Sequence, residues 1–252
     1  MTSQPMTATT DATAQTSSFA ADLPFDELAK SLTGEFHSGD LMRRIYSTDA
    51  SSYQEMPLAV AMPKDAADIQ RLIHFARKHG VGLIPRTAGT SLAGQVVGSG
   101  IVVDVSKHFG RILEINAEQR WVSVEPGVVR NRLNQELKPH GLMFGPETST
   151  QNRAMIGGMV GNNSCGSNSI KYGSVRDHLL EIEGFLSDGT LVKFGDTSPE
   201  RFAAKCEGPE GLERDIYRHI KQMLSDPENR AEITREFPKP SIPRRNTGYA
   251  LD

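Results

Sequence analysis

The chain has 252 residues, 37% of them hydrophobic and 23% charged, with a formal net charge of −3. That length holds one large domain or two small ones with a core of their own, and the near-neutral balance without a dense basic patch argues against a nucleic-acid partner. No apolar run approaches the roughly 20 residues that span a bilayer, and Cys165 and Cys206, far apart and without CxxC spacing, argue against a disulfide framework or a thiolate-bound cluster; no metal site is expected.

Residues 1–18 are a Thr/Ser/Ala/Gln tract read as a disordered tail. The tract lacks the charged start and apolar centre of a secretory signal. Residues 19–45 read as a helical lead-in, with helical spacing over 24–32 and a stop at Gly34. Residues 58–62 form a short apolar run stopped by Pro63, a buried strand. The clearest helix is Asp65 to His79: Ile69, Leu72, Ile73 and Ala76 share a face, Lys78 and His79 suit the C-terminal dipole, and Gly80 ends it. A second strand over 81–84 completes a βαβ unit. A further strand follows at 101–105, then a hairpin of 112–115 with 121–125, a helix from Gly127 to about Leu137, and a second hairpin turning at Asp188-Gly189. From Gly208 the chain is charged and helical, with Leu212, Ile216, Ile220 and Met223 near helical spacing. Its ending, 238–252, reads as a crossing into another domain.

Two glycine-rich stretches lie about sixty residues apart: Pro85-Arg-Thr-Ala-Gly-Thr-Ser-Leu-Ala-Gly-Gln95 and Ile156-Gly-Gly-Met-Val-Gly-Asn-Asn-Ser-Cys-Gly166. Glycine admits φ > 0 and close approach of another molecule to the main chain. Consecutive N–H groups in such loops form nests that favour a phosphate. The pair predicts a long diphosphate ligand held from two sides; taken singly, each also fits a merely structural turn of small residues.

With both stretches in view, the sequence resembles the FAD-binding domain of the vanillyl-alcohol oxidase/p-cresol methylhydroxylase (PCMH) type. Within that type it looks like the flavin module of FAD-linked 2-hydroxy-acid dehydrogenases, those for glycolate, D-lactate and D-2-hydroxyglutarate, and most like the long bacterial FAD/iron–sulfur members. The resemblance runs from Tyr46 to Asp252 and rests on ordered matches: Pro85-Arg-Thr-Ala-Gly-Thr-Ser91, Pro146-Glu147, Ile156-Gly-Gly158, Asn163-Ser-Cys-Gly166, Lys171-Tyr-Gly173, Asp188-Gly189 and Asn246-Thr-Gly-Tyr249. Thr87-Ala88 stands where glycines are usual, so Ala88 must keep a negative φ or be strained. Members that bond FAD covalently often carry a histidine in the first loop; this chain has none there, which implies non-covalent FAD.

The resemblance implies an α+β PCMH-type fold of two subdomains, a small N-terminal βαβ sheet and a larger mixed sheet, with FAD extended between them. It divides the chain into the tail, the lead-in, an FAD-binding domain over 46–205 and a helical segment with a connection over 206–252. The cofactor contacts it implies are Arg86, Thr87, Ala88, Gly89, Thr90, Ser91 and Gln95 in the first stretch, then Pro146, Glu147, Thr148 and Ser149 beside the flavin. Gly157, Gly158, Asn162, Asn163, Ser164 and Gly166 follow in the second stretch, with Ile182 on the next strand. Arg245 and Asn246 would meet a substrate carboxylate, arginine being suited to bidentate recognition; a solvated linker fits them equally. No catalytic residue is assigned. The implied reaction is oxidation of a 2-hydroxy acid to a 2-oxo acid, with electrons leaving to an acceptor or iron–sulfur module outside the chain. The expected location is cytoplasmic, free or peripheral to the inner face of the membrane. The chain would then be a piece of a longer enzyme or a flavin subunit that needs a partner, incomplete as a catalyst alone. A cell-wall reductase of the same flavin fold and a non-catalytic nucleotide-binding or regulatory module are the alternatives.

Overall fold

The computed structural model describes residues 23–239, 241–242 and 251. The expected tail over 1–18 and the Arg245 and Asn246 assignments lie outside them.

The N-terminal half is built on a four-stranded sheet. Helix α1 (Phe25–Ser31) leads to β1 (Glu35–His37), and α2 (Asp40–Ile45) follows. Then come β2 (Ala59–Met62), α3 (Ala66–His79), β3 (Leu83–Arg86) and β4 (Ile101–Asp104). The strand order is β1-β2-β4-β3, with β2, β4 and β3 parallel and β1 antiparallel at one edge. The βαβ unit is therefore present, with β4 inserted between its two strands. All four residues of β2 and of β4 are buried, as a sheet covered on both faces requires. Leu28, Leu72, Ile101 and Val103 form the core on one face; Val60, Val102 and Met62 form the other with Met42, Tyr46 and Ile84.

Local chemistry explains the element ends. Asp65 caps α3 by accepting the Asp68 N–H at 2.9 Å, and Gly80 closes it in the left-handed conformation at φ 66. That closure delays the strand expected at 81–84, so β3 begins at Leu83 and takes in Pro85 and Arg86. Proline is tolerated there because β3 is the other edge of the sheet.

The second half packs β5 (Ile112–Asn116) and β6 (Trp121–Val124) against α4 (Arg130–Leu137) and α5 (Ile156–Gly161). Val128, Leu133, Ile156 and Met159 centre this core. A short α6 (Ser169–Tyr172) follows, then β7 (Glu181–Phe185), β8 (Leu191–Gly195), α7 (Pro199–Glu207), α8 (Leu212–Ser225) and α9 (Pro227–Glu236). Tyr217 of α8 meets Phe194 of β8 and Phe202 of α7. Cys206 is buried in α7. Instead of one larger mixed sheet, the described residues here form two separate two-stranded antiparallel ladders, β5–β6 and β7–β8. Alternation and turn residues specify such local pairs, while joining hairpins demands a long-range register that alternation does not encode. The helix expected from Gly127 starts at Arg130, because Gly127 is drawn into the Phe109 turn: its N–H donates to Phe109 O at 2.7 Å, and a Cβ there would stand 2.6 Å from that oxygen.

Candidate functional site

The first glycine-rich stretch leaves the carboxyl end of β3, where ligands bind in open parallel sheets. Gly89 takes φ 63, a conformation that favours glycine, and its carbonyl accepts the Ala50 N–H at 3.1 Å. Ala88 avoids positive φ, so the departure from glycine there brings no backbone strain. Ser91 Oγ accepts the N–H groups of Ala93 (3.4 Å) and Gln95 (3.2 Å), which curls the loop back on itself. Thr87, Ala88, Gly89, Thr90 and Ser91 are half-buried, forming a wall of small groups. Arg86 is engaged behind that wall: its guanidinium lies 5.1 Å from the Tyr46 ring centroid and donates to Thr48 O at 2.8 Å.

The second stretch is in part a helix. Ile156 and Met159 of α5 are buried, Gly157 rests on Pro126 with no room for a Cβ, and Gly158 is exposed. After α5 the chain turns at Asn163, one of two non-glycine residues with positive φ among those described, at 44°. The strain is offset by Asn163 Oδ1, which accepts the Arg176 N–H at 3.0 Å. Ser164 is buried, and its oxygen accepts from Asn162 Nδ2 at 3.1 Å. Gly166 packs so tightly on the Glu147 carbonyl that no Cβ could be added. Asn168 donates to the Glu147 carboxylate. Pro146 is fully buried, Glu147 and Thr148 half-buried, and Ser149 exposed.

The two stretches meet. A Cβ on Gly158 would stand 2.5 Å from Thr87 Oγ1, and Gln95 Nε2 donates to Asn162 Oδ1 at 3.3 Å. Small, polar backbone from β3 and from the end of α5 thus shares one surface, suited to a diphosphate group approached from both sides. Ile182 is not brought to it: the residue lies on β7 opposite Phe194 and is 40% exposed, with no hydrogen bond to either stretch.

Sequence reasoning missed two residues here. Arg130 is buried at the start of α4 and donates to the carbonyls of Phe144 and Pro146, both at 3.2 Å, and to Gln151 Oε1 at 2.6 Å. Burial lowers its pKa, opposed by the charge of Glu147. The signal was available, since Arg130, Leu133 and Leu137 fall on one helical face, the buried one. Asp49 lies beneath the first stretch, where its Oδ2 is buried without a hydrogen bond. Burial raises the Asp49 carboxyl, and Ser51, Val96 and the Arg86 charge together hold it below the usual range. Nothing in the polar tract around Asp49 distinguished it.

A cavity of about 910 Å³ lies elsewhere, between α3, the β7–β8 turn and the start of α8. Ile73, Arg77, Phe185 and Leu212 line it, and of the first stretch only Pro85 touches it.

Residues 57–195 match the FAD binding domain family. The chain belongs to that family. An FAD-binding domain explains why two glycine-rich stretches so far apart in sequence face each other. The D-2-hydroxyglutarate dehydrogenase of Pseudomonas putida is 38% identical over 246 residues, 94% of this chain and 24% of that protein. The Escherichia coli protein of the same name is 41% identical over 228 residues, 87% and 21% of the two chains. Glycolate oxidase subunit GlcD of Bacillus subtilis is 31% identical over 205 residues, 79% and 44%. The chain spans about a quarter of the length of the dehydrogenases it matches. Among solved structures, the BBE-like 1 protein of Physcomitrella patens superposes with a TM-score of 0.59 at 21% identity, over 68% of this chain and 37% of that one. The 6-hydroxy-D-nicotine oxidase of Arthrobacter nicotinovorans gives 0.58 at 21%, over 66% and 36%. These likenesses bear out the α+β, PCMH-type fold. Among the described residues no helix is long and apolar enough to cross a membrane.

Proposed function

We propose that this chain binds FAD without a covalent bond and serves as the flavin module of an oxidoreductase that converts a 2-hydroxy acid to a 2-oxo acid. The observation that carries the reading is the apposition of Gly158 with Thr87 and of Gln95 with Asn162. Gly89, Thr90 and Ser91 offer N–H and hydroxyl groups to the diphosphate from one side, while Ala88 and Thr87 keep that wall narrow. Gly157 and Gly158 let the α5 backbone approach from the other side. Asn162, Asn163, Ser164 and Gly166 continue the contact towards Pro146, Glu147, Thr148 and Ser149, which border the ring. Arg86 adds positive charge behind the loop, and Arg245 and Asn246 meet the substrate carboxylate. When bound, FAD supplies a two-electron acceptor for the hydrogen on the substrate α-carbon, the hydroxyl proton passing to a base.

The names of the relatives support a 2-hydroxy acid as substrate class. The short span of each relative that the chain covers supports a module incomplete by itself, its electrons leaving to an acceptor or iron–sulfur module outside the chain. The proposed division is a lead-in over 19–45, the FAD-binding domain over 46–205 and a connecting segment over 206–252, in a cytoplasmic protein free or peripheral to the inner membrane face.

Titration of the purified chain with FAD tests the reading. Saturable binding with a shifted flavin spectrum is expected, and absence of binding refutes it. Denaturation should release all flavin into the filtrate; flavin retained on the polypeptide would overturn the non-covalent assignment. Dye reduction with D-2-hydroxyglutarate, D-lactate or glycolate should be negligible for the isolated chain, and appreciable turnover would overturn its incompleteness.

A further inference from the structure

We infer that Arg130 is the positioning residue for the Pro146–Ser149 segment, acting as a buried clamp on neutral acceptors; the inference rests on the proposed FAD site. Its guanidinium is bonded at every nitrogen. Nε donates to Pro146 O at 3.2 Å, Nη2 to Phe144 O at 3.2 Å, and Nη1 to Gln151 Oε1 at 2.6 Å and Asn131 Oδ1 at 3.3 Å. Its backbone N–H also donates to Ala154 O at 2.9 Å. The residue is 8% exposed, yet none of these acceptors carries a charge. A cation withdrawn from water without a hydrogen-bonded carboxylate is a poor source of net stability. It makes sense where a rigid, planar fork is needed to fix several oxygens at once.

The geometry says what is fixed. Phe144, Pro146 and Gln151 bracket residues 147–149, so one guanidinium sets both ends of that short run. The Phe144 end has a second hold, since Asn134 bonds both its N–H (2.7 Å) and its carbonyl (3.2 Å). Pro146 O is held by Arg130 Nε. In between, the Glu147 carbonyl lies against Gly166 with no slack for even a Cβ. A small displacement of Pro146 or Gln151 therefore carries Glu147 across the end of the second glycine-rich stretch. A lysine at position 130 keeps the charge but concentrates its donors on one atom, which cannot reach Phe144 O, Pro146 O and Gln151 Oε1 together.

The test uses the 252-residue chain with Arg130→Lys, Gln151→Met and the double variant. Each is measured for urea midpoint, FAD affinity by flavin fluorescence and the visible circular dichroism of the bound flavin. Each single change should weaken FAD binding about tenfold, roughly one net hydrogen bond at about 1.4 kcal/mol per decade, and should alter the dichroism. The double variant should fall short of the summed effects, because both singles remove the same bond. Unchanged affinity and dichroism in the single variants, even with a lowered urea midpoint, would overturn the inference by reducing Arg130 to a structural residue. Should Arg130→Lys not fold, Gln151→Met decides alone: weaker binding with altered dichroism supports the inference, and wild-type values overturn it. Failure of the unchanged chain to bind FAD would remove this inference together with the reading beneath it.

Discussion

Asp68 offers the sharpest test of how this fold holds a buried charge. Its side chain is fully buried. Oδ1 accepts from Thr33 N (2.9 Å) and Arg71 Nη1 (2.8 Å), and Oδ2 from Thr33 Oγ1 (2.9 Å), Gly34 N (2.9 Å) and Lys64 N (3.0 Å). One carboxylate thus ties the α1–β1 turn to the start of α3. Burial raises its pKa, but the donors from Lys64, Thr33 and Gly34 more than offset this and hold it at about 2, against an ordinary 3.8. The depression corresponds to about 2 kcal/mol of stability at neutral pH. Because the folded pKa is the lower one, that stability is complete above about pH 4 and is lost as pH falls towards 2. Asp68→Asn turns an amide NH₂ towards backbone donors and leaves a charge-assisted cluster broken. The expected cost at pH 7 is about 3 kcal/mol, or about 6–12 °C in melting temperature for a chain of this size. Urea unfolding of both proteins between pH 7 and pH 2 measures it. The gap should narrow by about 2 kcal/mol at the acid end. Midpoints that coincide at pH 7, or a gap independent of pH, would refute the reasoning.

Three glycines of the second stretch separate close packing from mere composition. Gly166→Ala has no space beside the Glu147 carbonyl and should abolish FAD binding in a flavin titration, whereas Gly161→Ala meets no atom within 4 Å and should change stability by less than about 1 kcal/mol in urea unfolding. Gly158→Ala would press on Thr87 Oγ1, which stands 2.5 Å from the added carbon, and should weaken FAD binding. Adding Thr87→Ala removes that oxygen and should restore part of the affinity; no recovery in the double variant would contradict the contact between the two stretches.

The sequence announced those features whose causes are local. The α3 boundaries follow from Asp65 as an acceptor and Gly80 as a left-handed stop, both readable within a few residues. The two glycine-rich stretches were visible for the same reason, since a need for φ > 0 or for close approach selects glycine at the position itself. What escaped depends on partners distant in the chain. β1 is three residues long and exists because Glu35, Phe36 and His37 find Met62, Ala61 and Val60 across the sheet edge. The insertion of β4 between β2 and β3 is likewise a long-range pairing.

Arg130 shows the limit most clearly. Charge patterning assigns an arginine to a solvated face, while helical periodicity assigns position 130 to the buried one, together with Leu133 and Leu137. When these two rules disagree, the conflict itself marks a place where packing has been traded for hydrogen-bond geometry. In this chain the conflict falls beside Pro146 and Glu147, the run that meets Gly166. Asp68 is a second such conflict, a charge inward on α3 at the position where five donors converge. Both side chains hold backbone in a fixed path rather than filling space, and they do so at the two ends of the fold's problem: Asp68 secures the sheet that presents the first glycine-rich stretch, and Arg130 secures the segment that closes against the second.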